Sequence, residues 1–144
     1  MKEVNIYTFS GIKNPKMHCG KAGYVLEYTP EGRKPVTLTK IIDIEDMTPQ
    51  QSELHTINAA LSRLTEKGLL LNIHTENRMA ATALTEGWAG RWQEAGWKKP
   101  DGKPVKNSEE WEQILELLAG NMYTVTAGQP HPYRMWLKTE TERR

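Results

Sequence analysis

The sequence has little of several features that mark particular classes of protein. A single cysteine, Cys19, excludes a framework of internal disulfide bonds. No stretch approaches the run of about 20 apolar residues that a membrane-spanning helix needs. The start, Met1 to Asn5, has no apolar run of signal-peptide length, so we expect a cytoplasmic protein without membrane association. Lysine and arginine total 19 against 18 for aspartate and glutamate, so any attraction to nucleic acid must be local.

What the chain does have is the composition of a folded protein. Apolar residues make up 38% of its 144 residues and charged residues 26%, which is a balance typical of a folded chain rather than a disordered one. This length is close to the commonest size of one domain. We therefore expect a single domain over residues 1–138, a disordered tail over residues 139–144, and a monomer. The sequence identifies no protein partner.

Hydrophobic periodicity predicts the order of the secondary structure. Runs that alternate apolar and mixed residues predict three antiparallel strands, at 4–9, 22–28 and 36–44. A helix is expected from Thr48, with Pro49 at its first position, to near Gly68. A buried strand at 69–73, helical segments after Thr75 and after Asn107 or Ser108, and a strand at 122–126 follow. This order predicts an α/β fold whose mixed sheet is covered by helices.

The tryptophan-rich segment carries a specific resemblance. Trp88, Trp92 and Trp97 are followed by Lys-Pro-Val-Lys-Asn at 103–107 and by Trp111. This series resembles the basic protrusion of bacterial type 1 ribonuclease H and the helix after it. A second stretch, Thr48-Pro-Gln-Gln-Ser-Glu53-Leu54, is similar to the start of that family's first helix. A third set, Ile6-Tyr-Thr8 with Asn14-Pro15 and Gly23-Tyr24, is similar to the family's first hairpin.

The resemblance covers nearly the whole chain and implies the ribonuclease H-like fold, with a five-stranded sheet of three antiparallel strands and then two parallel ones. It fails only near the C-terminus, where the family's last helix is expected to be shortened or absent. The family hydrolyses the RNA strand of an RNA–DNA hybrid with two Mg²⁺ ions held by four carboxylates. Two closely spaced hard cations need such oxygen ligands, because one ion activates water while the other stabilises the leaving oxygen.

Two of the four carboxylate positions match residues that cannot bind a metal cation. The first falls on Phe9, or on Ser10 in an alternative register, and the fourth falls on Lys138. The second and third match Glu53 and Glu76, which together could hold one Mg²⁺ or Mn²⁺ weakly. Both acids also have ordinary interpretations, because carboxylates are common at helix starts and in solvated turns.

The resemblance also implies a nucleic-acid-binding surface. The protrusion offers cations and an aromatic ring at Arg91, Trp97, Lys98, Lys99, Lys103 and Lys106. Spacing alone favours a plainer interpretation, in which the tryptophans belong to the core and the lysines keep a loop soluble. The helix start offers Thr48, Gln50 and Gln51, whose other role is helix capping, and Asn14 and Asn77 complete the candidate set.

Three functions follow from these expectations. The first is a ribonuclease H homologue that binds RNA–DNA hybrid or another duplex but cleaves it poorly, because its metal site is incomplete. The second is an active Mg²⁺- or Mn²⁺-dependent hybrid endoribonuclease that finds a further acid elsewhere in the chain. The third is a protein-interaction module that reuses the fold, since a fold does not fix a function.

Overall fold

The computed structural model describes residues 1–13 and 18–143. These residues form five strands and five helices, in the order β1 (Glu3–Ser10), β2 (His18–Tyr28), β3 (Val36–Met47), α1 (Pro49–Leu61), β4 (Leu70–Thr75), α2 (Arg78–Thr85), α3 (Trp88–Glu94), α4 (Ser108–Leu118), β5 (Met122–Ala127) and α5 (Arg134–Glu142). Each helix within these ranges is too short or too polar to cross a membrane.

The strands form one mixed sheet in the order β3-β2-β1-β4-β5. β2 pairs antiparallel with both β1 and β3, whereas β4 pairs parallel with both β1 and β5. The predicted sheet of three antiparallel strands followed by two parallel strands is therefore confirmed. Since β1 and β4 are neighbours with the same direction, their carboxyl ends, Ser10 and Thr75, lie at the same edge of the sheet.

The main core lies between one face of the sheet and helices α1 and α4. Side chains alternate across a strand, so Ile6 of β1 and Ile73 of β4 face this core together. Trp111 of α4 is fully buried there beside Ile57 of α1. Burial of these large side chains fixes α1 against the sheet, and α1 is the helix that carries Glu53.

Helix α1 begins as the sequence predicts but ends earlier. The Thr48 hydroxyl accepts a hydrogen bond of 3.1 Å from the backbone N–H of Gln51, and Pro49 occupies the first helical position. The helix ends at Leu61 rather than near Gly68. The backbone N–H of Leu64 bonds to the carbonyl of Leu61, three residues before it, so the chain leaves the helix through a tighter turn.

The prediction for the C-terminal end is wrong. Residues 139–142, expected in a disordered tail, belong to helix α5, which spans Arg134–Glu142. The helix is stabilised by buried contacts rather than by its polar composition. Leu137 is fully buried against the sheet, the Tyr133 hydroxyl donates a hydrogen bond to Glu27, and the His131 ring lies 4.4 Å from that of Tyr7.

Candidate functional site

Glu53 lies at the centre of the expected catalytic edge of the sheet. Its side chain is almost fully buried, and Oε1 accepts hydrogen bonds from the hydroxyls of Thr8 at the end of β1 and Thr75 at the end of β4. Burial raises the pKa of the Glu53 carboxyl, although the bonds from Thr8 and Thr75 oppose that change. The charge of Glu76 raises this pKa further, so the two retained acids interact.

Phe9 points to the other face of the sheet. Thr8 reaches Glu53 on the α1 face, and alternation along β1 therefore turns Phe9 towards α5. There it belongs to a small apolar cluster with Tyr7, Val25 and Leu137. Ser10, the alternative match, lies on the α1 side, where its Oγ is 2.6 Å from Oγ of Ser52. Neither residue brings a carboxylate to the edge where Glu53 lies.

Glu76 is paired with a cation of the same chain. Oε1 of Glu76 accepts a hydrogen bond from Nε of Arg134, the first residue of α5. Glu76 directly follows Thr75, the residue that donates to Glu53. The ion pair thus joins the end of β4 to the start of α5 beside the buried carboxylate.

The fourth expected position lies on α5. Lys138 is exposed to solvent, whereas its neighbour Leu137 is fully buried in the apolar cluster that contains Phe9. Across residues 1–13 and 18–143, no group of three or more histidine, cysteine, aspartate or glutamate side chains is arranged to hold a metal ion. The oxygen atoms at this edge of the sheet therefore come chiefly from two glutamates and several hydroxyl groups.

A groove of about 720 Å³ runs beside this edge and gathers most of the predicted binding residues. Its walls are the starts of α1 and α2, helix α3, and the loop before α4. Six predicted residues line it: Thr48, Gln50, Gln51, Asn77, Lys99 and Lys106. The sequence places these residues in three separate segments, so their convergence is a result of the fold.

Several polar groups in the groove are already hydrogen-bonded. The Gln51 amide donates to Glu110 at 3.0 Å, and the Asn77 side chain caps α2 by accepting from the backbone N–H of Ala80 at 2.9 Å. The Gln50 amide donates to the sulfur of Met79 at 3.2 Å. Hydrogen bonds within the chain, including the helix cap of Asn77, therefore already occupy part of the polar groups at these helix starts.

A second groove of about 490 Å³ adjoins the first, and the two share Trp92 and Lys99. Arg91 and Lys98 line this second groove together with Trp88, whose side chain is partly exposed. Three of the predicted cations thus lie around two tryptophan rings. This arrangement suits a polyanion that also carries flat, stackable groups.

Two predicted residues of the described ranges, Trp97 and Lys103, line neither groove. Trp97 is half-buried and packs against the main core, with its backbone in the left-handed region at a φ of 63°. Lys103 is exposed in the protrusion but lines neither groove. Asn14 lies outside the described residues. The plainer interpretation of the tryptophans therefore applies to Trp97, while Trp88 and Trp92 face the grooves.

Sequence reasoning missed Arg134. It lies in the segment that was expected to lack a well-formed helix, and its partner Glu76 is 58 positions away in the chain. Trp88 and Met79 were also not assigned to the binding surface. The spacing of Trp88 and Trp92, four residues apart at the start of a helix, was the one available signal that both could share a face.

Comparison with known proteins gives the same family as the sequence motifs. A family model described as RNase H matches residues 1–127. The ribonuclease H of Caldicellulosiruptor saccharolyticus is 33% identical over 119 residues, which cover 82% of this chain and 77% of that protein. Among solved structures, LC9-RNase H1, a type 1 RNase H with the type 2 active-site motif, is similar with a TM-score of 0.77 and 18% identity. The alignment covers 97% of this chain and 70% of LC9-RNase H1.

A second structural neighbour is the foamy viral protease-reverse transcriptase in complex with an RNA/DNA hybrid. It has a TM-score of 0.68 and 15% identity, covering 97% of this chain and 19% of that protein. At these identities the two structures support the fold, while the family model and the bacterial relative establish descent. The chain belongs to the RNase H family.

Proposed function

We propose that this chain binds RNA–DNA hybrid, or a similar nucleic-acid duplex, in the two grooves beside α3, and that its hydrolysis of the duplex is impaired. The observation that carries the proposal is the convergence of six predicted binding residues on one groove. Phosphate groups attract the lysines there, and helix starts that present hydroxyl and amide groups suit the shallow minor groove of a hybrid. The foamy viral neighbour, solved with an RNA/DNA hybrid, supports this class of ligand.

The donor set at the edge of the sheet argues against a complete two-ion site. Glu53 is buried and bonded to two hydroxyls, and Glu76 is neutralised by Arg134. Phe9 faces the opposite side of the sheet, and Lys138 would repel a cation. Two hard cations close together need several carboxylate oxygens, and these residues do not fit that requirement.

An active, metal-dependent hybrid nuclease is the second candidate. The hydroxyls of Thr8 and Thr75 both bond to Oε1 of Glu53, which leaves Oε2 as the atom available to a cation. Glu76 is close enough to raise the pKa of Glu53. One weakly held Mg²⁺ or Mn²⁺ between these two acids is the arrangement under which slow cleavage would occur.

The two candidates are separated by one experiment on a labelled RNA–DNA hybrid. Cleavage is followed on a denaturing gel with Mg²⁺ and then Mn²⁺, and binding is followed by gel shift. We expect binding without efficient cleavage, and weaker binding by a Lys98→Ala/Lys99→Ala variant. Cleavage that disappears in Glu53→Gln would establish the nuclease instead. Failure to bind hybrid or duplex at low salt would contradict both candidates and favour a protein-interaction module.

A further inference from the structure

We propose that Arg134 binds a phosphodiester group of the nucleic-acid backbone, with Glu76 holding its guanidinium in place. This inference rests on the proposed function, because it assumes that the neighbouring grooves receive a nucleic acid. It adds a binding residue that lies outside the protrusion and outside the helix starts. The ligand is one phosphate of the bound strand, close to the buried Glu53.

The geometry of the ion pair leaves the recognition end of Arg134 available. Arg134 donates through Nε to Glu76, and this is the one partner that its side chain has among the described residues. The Arg134 side chain is 52% exposed, whereas that of Glu76 is 21% exposed. The terminal amino groups of the guanidinium make no hydrogen bond within the described residues, and the side chain that carries them is half exposed. A planar fork of this kind matches two oxygens of a phosphate.

The place of Arg134 also fits a nucleic-acid path. Glu76 lies between Thr75, which bonds to Glu53, and Asn77, which lines the larger groove. A strand that leaves this groove past Asn77 therefore meets the Glu76–Arg134 pair next. The pair extends the cationic lining from the protrusion to the end of β4.

The charges along α5 favour an anion at this position. Lys138 lies one helical turn beyond Arg134 and is exposed, so two cations follow the same side of α5. Glu142, one further turn along, is paired with Lys13 at 2.6 Å. Glu76 and Glu142 are each paired with another cation, so Lys138, whose charge also acts on Glu142, retains part of its attraction for a phosphate backbone.

The test measures hybrid affinity by fluorescence anisotropy over a series of salt concentrations. EDTA is present, so that no divalent cation competes for Glu76. Arg134→Gln removes the charge and keeps a polar side chain, whereas Arg134→Lys keeps the charge and loses the fork. Arg33→Gln is the matched control, because Arg33 is exposed in the turn between β2 and β3, at the opposite end of the sheet. Thermal unfolding of every variant establishes that it is folded.

We expect Arg134→Gln to weaken binding roughly fivefold at about 0.15 M salt and to reduce the slope of log affinity against log salt by about 0.9, the effect of one lost phosphate contact. Arg134→Lys should keep that slope and bind more weakly than the unmodified chain. If Arg134→Gln behaves as Arg33→Gln does, or Arg134→Lys loses the same slope, the inference is wrong and the proposed function stands. If the unmodified chain does not bind hybrid at low salt, both are overturned.

Discussion

Thr75 donates a hydrogen bond of 3.0 Å from Oγ1 to Oε1 of Glu53. Thr8 donates to the same oxygen from the neighbouring strand. The carboxylate therefore joins α1 to the ends of β1 and β4, and it does so in a buried position. Buried hydrogen bonds to an acid contribute to stability as well as to any chemistry at the site. Glu53, which the resemblance matches to a metal-binding position, therefore has a structural role in this fold.

Replacement of Glu53 by glutamine should stabilise the fold at neutral pH. Because burial raises the pKa of the Glu53 carboxyl, the folded chain binds more protons than the unfolded chain above the ordinary value of 4.5. The free energy of unfolding of the unmodified chain therefore falls as pH rises from that value through the raised pKa. Glutamine does not titrate, so the unfolding free energy of Glu53→Gln does not fall in this way. Its amide oxygen still accepts hydrogen bonds from Thr8 and Thr75.

The measurement is the difference in unfolding free energy between Glu53→Gln and the unmodified chain at several pH values. We expect the unfolding free energy of the variant to increase relative to that of the unmodified chain between about pH 4.5 and neutrality. Glu66→Gln serves as the control, because Glu66 is an exposed acid on the loop after α1. A difference that stays constant with pH would show that Glu53 titrates equally in the folded and unfolded chains.

Leu137→Ala should destabilise the fold by about 2–5 kcal/mol, since truncation of a fully buried leucine removes apolar contacts and leaves a cavity. Leu137 packs in the cluster that contains Phe9. It also lies close to Gly23, because a Cβ atom added to that glycine would be 3.1 Å from Cδ2 of Leu137. Denaturant unfolding measures the change. Met135→Ala, at a side chain that is 72% exposed, should change the same quantity by less than about 0.5 kcal/mol. Equal effects would mean that α5 does not dock through Leu137.

Thr48→Ala should cost about 1 kcal/mol of stability, because the N-cap hydroxyl accepts from the backbone N–H of Gln51 at 3.1 Å. Thr48→Ser retains the hydroxyl and should remain within a few tenths of a kcal/mol of the unmodified chain. Thermal unfolding and hybrid binding are measured on both variants. Loss of binding in Thr48→Ala with no loss of stability would assign the hydroxyl to the ligand instead of the cap.

The Lys98→Ala/Lys99→Ala variant should lower the salt dependence of hybrid binding by about two phosphate contacts. Both lysines line the groove that Trp88 and Trp92 share. Lys34→Ala/Lys40→Ala removes the same charge from exposed positions before and within β3 and should leave the slope unchanged. Equal slopes for the two double variants would show that net charge alone, and not the protrusion, attracts the nucleic acid.

Much of the fold could be predicted because the secondary structure that short sequence patterns favour is the secondary structure that the folded sheet and helices contain. The alternation in β1 and the Thr48 cap determined the element types, and the tryptophan series identified the family. α5 could not be predicted, because it has a polar sequence and the Tyr133 side chain, at its N-cap position, makes no capping hydrogen bond to the start of the helix. Its stability comes from tertiary contacts of Leu137 and Tyr133, which short-range patterns do not contain.

The site was predictable only where a motif covered it. Glu53 and the Thr48 helix start match a family pattern, and the structure places Glu53 at the ends of β1 and β4 and Thr48 at the start of α1. The pairing of Glu76 with Arg134 depends on how α5 docks, so the sequence offered no signal for it. Trp97 shows the reverse case, because the motif suggested a ligand contact while packing against the core accounts for its position.

The order of the strands in the sheet determines when each strand meets its partner during synthesis. β1 precedes the other strands of the sheet and can pair with β2 once β2 has emerged, yet its other edge has no partner until β4 exists, since Glu3 pairs with Leu70. Until then the nascent chain carries an open apolar strand edge, which is the kind of edge that attracts other chains. α5 is made last and covers Tyr7 and Phe9 only at that stage. A ribosome that pauses between β3 and β4 would therefore prolong the exposure of this edge to other chains.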